Sequence, residues 1–101
     1  INQRMNNKLE VILHLQKLLD KIPVADRQAL SRRIAQLSMD YLYNNIRLYH
    51  SLISLNQAIK TLKKHGLYPL PDKDYTKKYT MFRKIISTYV GRIALLFFIK
   101  K

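Results

Sequence analysis

The run Tyr75-Thr76-Lys77-Lys78-Tyr79-Thr80-Met81-Phe82-Arg83-Lys84-Ile85-Ile86-Ser87-Thr88-Tyr89-Val90-Gly91-Arg92-Ile93-Ala94-Leu95-Leu96 sets Tyr75, Tyr79, Phe82, Ile86, Tyr89, Ile93 and Leu96 at steps of four and three without a miss. Such spacing gathers the apolar side chains on one stripe of a helix and reads as a heptad seam. A seam needs other helices to close over it, so the run predicts an all-α protein whose last helix covers about 74–99. The far end, Ile93-Ala94-Leu95-Leu96-Phe97-Phe98-Ile99, is apolar on every side. That is more than one bundle of short helices covers from one direction, and a second copy of the chain is the economical cover.

Upstream of this helix stands the clearest loop. Gly66-Leu67-Tyr68-Pro69-Leu70-Pro71-Asp72-Lys73 carries two prolines two residues apart, which forbids a continuing helix, and Asp72 or Asp74 is expected to cap the last helix. Before the loop, Leu52, Leu55, Ile59 and Leu62 mark a third helix over about 51–65. Gly66 after Lys63-Lys64-His65 is a helix stop, with cations near the negative end of the dipole. A second helix over about 27–49 buries Leu30, Ile34, Leu37, Tyr41 and Leu48, with Asp26 as its expected N-cap. Its join to the third is weakly marked and falls near His50-Ser51. The first helix, about 4–22, carries Met5, Leu9, Ile12, Leu15, Leu19 and Ile22 on one stripe and ends before Pro23. No strand alternation, hairpin turn or internal repeat appears, so residues 1–101 read as one antiparallel, up-down-up-down four-helix-bundle domain.

Within 101 residues, 19 Lys and Arg face 6 Asp and Glu, a formal charge of +13. Solubility requires far less, so the excess points to a polyanionic partner: nucleic acid, an anionic membrane surface or an acidic protein. The cations recur along the predicted helices and do not form one terminal tail. Lys73, Lys77, Lys78, Arg83 and Lys84, with Lys60, Lys63 and Lys64 and with Arg32 and Arg33, are the candidate phosphate contacts. Lysine-rich helices without a groove-reading motif touch backbone more than base edges, so low sequence specificity is expected. Tyr75, Tyr79 and Tyr89 lie on the seam and are expected to be buried with hydroxyls at a rim, whereas Tyr43, Tyr49 and Tyr68 are freer to stack on bases.

Little else in the chain suggests chemistry. There is no Cys, which removes disulfides, thiolate metal sites and cysteine nucleophiles, and which suits a reducing cytoplasm. His14, His50 and His65 do not pair with one another at helical spacing, so no metal site is expected. Ser31, Ser38, Ser51, Ser54 and Ser87 sit in no nucleophile elbow, and Glu10, Asp20, Asp26 and Asp40 are isolated. Two glycines cannot build a phosphate-cradling loop. Neither an enzyme, a cofactor nor a small-molecule substrate is expected. The apolar stretch from Ile85 to Ile99 is interrupted by Arg92 and falls short of the roughly 20 residues needed to span a bilayer. The chain opens on Ile1 and not Met, so a preceding segment is expected, and no signal peptide is visible. Mid-helix, Gly91 costs about 1 kcal/mol relative to Ala, which implies that a neighbouring helix passes too close for a side chain. Arg92, in the most apolar part of the chain, suits a structural hydrogen bond or ion pair, or a nucleic-acid contact.

The order of these features resembles a known family. Ile22-Pro23-Val24-Ala25-Asp26-Arg27-Gln28-Ala29-Leu30 opening the second helix, Lys63-Lys64-His65-Gly66 closing the third and Val90-Gly91-Arg92-Ile93 in the last are similar to the small four-helix-bundle proteins related to the ribosomal intervening-sequence protein. The nearest branch is the accessory variability determinant of diversity-generating retroelements. Where that family often has a Trp after the Gly-Arg pair, this chain offers Phe97 and Phe98. The resemblance implies a homopentamer with a basic outer surface, which makes Gly91, Arg92, Ile93, Leu96 and Phe97 candidate packing or oligomer residues. It also implies a non-catalytic partner of a retroelement reverse transcriptase that binds template RNA or cDNA and supports cDNA synthesis in mutagenic retrohoming. The alternative within the same fold is an intervening-sequence-type protein that meets ribosomal RNA or an acidic protein. A weaker third is a bundle lying on a membrane surface.

Overall fold

The computed structural model describes residues 3–68, 70 and 75–99, with side chains from residue 7 onward. Its described residues form five α-helices and no strand: α1 (Gln3–Leu18), α2 (Val24–Tyr49), α3 (Leu52–Lys64), α4 (Lys77–Ile86) and α5 (Tyr89–Phe98). The longest, α2, packs against α1, α3 and α4, while α5 packs against α3 and α4. The Cα envelope is 19 Å across its thinnest direction. With helices about 10–12 Å in diameter, that thickness holds two layers. Ile34, Ala35, Met39, Leu42 and Ile46 of α2 meet Ile12, Leu55, Ala58, Ile59, Leu62, Ile86 and Leu95 in one core.

Each helix end has a local cause. The α3 terminus is a Schellman motif: the Gly66 amide donates to the Lys63 carbonyl at 3.1 Å and the Leu67 amide to Leu62 at 2.8 Å, with Gly66 at φ 74°. Leu67 and Leu62, the apolar pair of that motif, are both buried. α2 stops on His50, which takes the left-handed conformation (φ 48°) without being glycine. His is among the few residue types enriched there, and its Nε2 lies 2.9 Å from the Ile99 carbonyl, tying this corner to the end of α5. Ser51 then caps α3, its hydroxyl accepting from the Ser54 amide at 3.3 Å. At the start of α2 the cap position is Pro23, with Asp26 one turn inside as a first-turn acid and not the N-cap. α1 ends at Leu18, short of Ile22, and a turn leads to Pro23. The expected caps Asp72 and Asp74 lie outside the described residues.

The principal correction concerns the last helix. What reads as one helix over 74–99 is two, because the chain breaks at Ser87-Thr88. Thr88 is extended (φ −108°, ψ 150°), and its hydroxyl accepts from the Gly91 amide at 2.9 Å, which makes it the N-cap of α5. The Ser87 hydroxyl turns back to the Arg83 carbonyl at 2.6 Å. Breaking the ladder leaves α4 carbonyls without intrahelical donors. Arg92 supplies one, donating from Nε to the Ile86 carbonyl at 2.9 Å, from one terminal nitrogen to Asn56 Oδ1 of α3 at 3.3 Å and from the other to the Tyr68 hydroxyl at 3.1 Å. All three contacts lie within one chain. The close neighbour of Gly91 is the end of the preceding helix: a Cβ there would land on the Ile85 carbonyl oxygen of α4.

Both features of this corner can be tested by equilibrium urea unfolding. Gly→Ala inside a helix ordinarily stabilises by up to about 1 kcal/mol, but Gly91→Ala is expected to destabilise by about 1–3 kcal/mol through overpacking; a raised midpoint would refute the close approach. Arg92→Lys keeps the charge and loses the fork, and is expected to cost about 1–3 kcal/mol. An unchanged midpoint would remove Arg92 from the corner.

Candidate nucleic-acid interface

The candidate cations fall on two strips. On α3, Lys60, Lys63 and Lys64 are exposed, and with Gln57 and Thr61 they border an open groove of about 650 Å³. Their positions follow from helical spacing, since the opposite face of α3 is taken by Leu55, Ala58, Ile59 and Leu62. The second strip runs over α2 and α4. Lys77 and Lys84, seven residues apart, share the outer face of α4, while Lys78 turns toward α2 and sets its ammonium 5.8 Å from the centre of the Tyr43 ring. Arg32 and Arg33 are exposed on α2, and Arg33 lies close enough to Tyr79 to act on its ionisation. Arg83 departs from its neighbours: it is half-buried against the bundle. Lys73 lies outside the described residues.

The aromatic side chains sort differently from the expectation. Tyr75 is buried and Tyr79 half-buried, as the seam requires, but Tyr89 is 57% exposed because the break before α5 rotates it off the stripe. Tyr68, expected to be freer, lies within 5.7 Å of the Lys63 ammonium and 5.9 Å of the Arg92 guanidinium, measured from the ring centre. Tyr43 meets Phe82 edge-on at 6.3 Å. Both rings are therefore already engaged within the chain, and among the tyrosines Tyr89 offers the most open face. No spacing rule would have found it, since the heptad step carries through the break unaltered.

Asp40 is the acid at the centre of the second strip. It accepts the Tyr79 hydroxyl at 3.0 and 3.3 Å on its two oxygens. Burial, and then this hydrogen bond, push the Tyr79 phenol above its ordinary value, with Arg33 opposing. Burial, and then the neighbouring Tyr49, raise Tyr41 as well. Among the described residues, no three His, Asp or Glu side chains gather closely enough to hold a metal ion. No helix among them is long and apolar enough to cross a membrane.

Of the five candidate packing residues, Gly91 and Arg92 form the α4–α5 corner, and Leu96 packs partly against the core. Ile93 is half-buried. Phe97 stands apart at 79% exposed.

A phenol whose pKa is raised on folding contributes stability that is complete below the unfolded value near 10 and is lost as pH climbs through the folded value. Tyr79→Phe is expected to cost about 1 kcal/mol at pH 7 through the lost hydrogen bond and to lose less stability than the parent between about pH 9 and 11. Parallel pH curves for the two proteins would refute the Tyr79–Asp40 link. Compared with protein-family models, curated proteins and solved structures, the chain finds no match in any of the three.

Proposed function

We propose that this chain is a non-catalytic, cytoplasmic bundle protein that binds RNA or DNA through phosphates and self-associates through α5. The observation that carries the reading is the exposure of Arg32, Arg33, Lys60, Lys63, Lys64, Lys77, Lys78 and Lys84 on folded helices of a chain with a formal charge of +13. A rigid array of cations releases condensed counterions from a polyanion without first ordering a disordered arm, so binding costs little conformational entropy. Taking α4 and α5 as one bent arm, we read the five helices as an up-down-up-down four-helix bundle like that of the intervening-sequence proteins that the chain resembles. The role we assign is that of the branch the chain most resembles, the accessory variability determinant: an accessory of a retroelement reverse transcriptase that holds template RNA or cDNA during mutagenic retrohoming. Self-association is supported by the apolar outer face of α5, and the pentamer is the number that the resemblance implies. An adjacent reverse-transcriptase gene with paired template and variable repeats separates this reading from a ribosomal or acidic-protein partner.

Fluorescence anisotropy with single-stranded RNA and duplex DNA across a salt series tests the binding. Log affinity is expected to fall linearly with log salt, at about −0.7 per phosphate contact on single strands and about −0.9 on duplex. Reversing Lys77, Lys78 and Lys84 to Glu should weaken all sequences alike and flatten the slope, with unchanged helix content. Reversal of Lys60 and Lys64 tests the α3 strip in the same way. Absence of binding at low salt by the wild type would remove the nucleic-acid reading and favour an acidic protein.

A further inference from the structure

The two basic strips differ in what stands among their cations. On the strip over α2 and α4, Asp40 accepts the Tyr79 hydroxyl and lines the same cleft as Lys78, and Arg83 is half-buried. A phosphate that approaches Lys78 therefore meets a carboxylate as well. On α3 the cations stand without an acid. No Asp or Glu occurs between Asp40 and Asp72, and the open groove of about 650 Å³ is bordered by Gln57, Lys60, Thr61, Lys63 and Lys64, with no carboxylate among them.

The groove lies toward the C-terminal end of α3, where the last carbonyls carry the negative end of the helix dipole and would oppose an anion. Here those carbonyls are already taken. Leu62 accepts from the Leu67 amide at 2.8 Å, Lys63 from the Gly66 amide at 3.1 Å, and His65 from the Gln16 side chain at 2.8 Å. The Lys63 ammonium is held 5.7 Å from the centre of the Tyr68 ring, which positions it while leaving the residue exposed. Lys60 and Lys64 are exposed one turn apart on the same face.

We infer that this groove is the chain's primary phosphate track and takes about three successive phosphates of one nucleic-acid strand. The inference rests on the nucleic-acid reading proposed above and adds which strip leads and how much backbone it holds. From Gln57 to Lys64 the helix rises about 10 Å, and a strand in a duplex carries one phosphate per about 3.4 Å of axis, so the row matches its three lysines with about three phosphates. A row on one helix follows one backbone and does not need the second strand. Gln57 is exposed, and the Thr61 hydroxyl, which donates to the Gln57 carbonyl at 3.1 Å, keeps its oxygen for a further donor. These neutral groups suit a sugar or a base edge beside the phosphates. An acidic polypeptide fits the row less well, because its charges sit on flexible side chains that must be ordered one by one, whereas phosphates are part of the backbone itself.

The test compares two pairs of exposed lysines that remove the same charge from the two strips: Lys60→Gln with Lys64→Gln, and Lys77→Gln with Lys84→Gln, each checked for unchanged helix content by circular dichroism. Fluorescence anisotropy with a labelled single-stranded oligothymidylate across a salt series gives the readout. Two lost contacts at about 0.7 each flatten the log-log slope by about 1.4, so the α3 pair is expected to weaken binding about twentyfold at about 0.1 M salt relative to its effect near 1 M. The α4 pair is expected to change affinity and slope far less. A second comparison leaves the lysines in place: Gln57→Glu sets a carboxylate one turn from Lys60 and is expected to weaken binding several-fold, while Gln28→Glu, the same charge change on an exposed position of α2, is not. Equal losses from the two pairs would show that charge acts diffusely, and a larger loss from the α4 pair would move the site to the other strip; either overturns the track and leaves the nucleic-acid reading standing. So does a Gln57→Glu variant that binds as well as Gln28→Glu. Polyglutamate that displaces the oligothymidylate at equal charge would overturn the track in favour of an acidic protein. A wild type that binds no oligothymidylate at low salt removes the nucleic-acid reading, and the track with it.

Discussion

Ending α4 at Ile86 strands backbone carbonyls that an unbroken helix would have satisfied, and Arg92 meets that need from the first turn of the next helix. One planar guanidinium reaches the Ile86 carbonyl, Asn56 of α3 and the Tyr68 hydroxyl. It therefore joins the end of one helix, the flank of another and the loop after α3. A cation at the C-terminal end of a helix is also favoured by the dipole. Lysine could place the charge but not three divergent N–H groups in one plane. Thr88 works beside it, donating to Ile85 at 3.3 Å while it accepts from Gly91. The direction of α5 depends on this corner, and so does the outward face that Phe97 occupies.

Much of the bundle is legible from spacing alone, because burying an amphipathic stripe is what spacing encodes. Ile12, Ile34, Leu55, Ile59, Leu62 and Ile86 belong to predicted stripes and are buried. The stop at Gly66 is legible because a glycine directly after a basic last turn can take the left-handed conformation that closes a helix. The break at Ser87-Thr88 is not, and the reason is specific. Ser and Thr are tolerated within helices, no Pro or Gly marks the bend itself, and the apolar step continues from Ile86 to Ile93 as though the helix did. Gly91 does mark a close approach of a neighbouring helix, but which helix is not legible: the crowding carbonyl, Ile85, lies six residues earlier in what reads as the same helix.

The candidate interface is legible to a lesser degree. Exposure of Lys60, Lys64, Lys77 and Lys84 follows from the helical wheel once the apolar stripe is fixed, and the structure agrees. The pairing of Lys78 with Tyr43 and of Tyr79 with Asp40 does not follow, because each joins segments far apart in the chain, and that of Lys63 with Tyr68 needs the turn at Gly66 to fold back. These pairings separate cations that are partly engaged from those that are open to a phosphate. Arg83, half-buried, differs from its neighbours for the same reason: on a short helix, residues adjacent in sequence face about 100° apart, and only the packing decides which side is covered.

The two activities proposed for this chain act on one electrostatic balance. Bringing copies together through α5 concentrates positive charge, and screening over about 8 Å at physiological salt relieves that repulsion only in part. A polyanion lying along Lys60 and Lys64, or across Lys77 and Lys84, neutralises the same charge and lowers the work of assembly. Linkage then runs in both directions: whatever free energy nucleic acid adds to self-association, self-association adds to nucleic-acid binding. Added salt acts oppositely on the two parts, weakening phosphate contacts while easing repulsion between copies. A chain with an uncharged face on α5 and unneutralised cations on α3 and α4 can satisfy both demands because they fall on different surfaces.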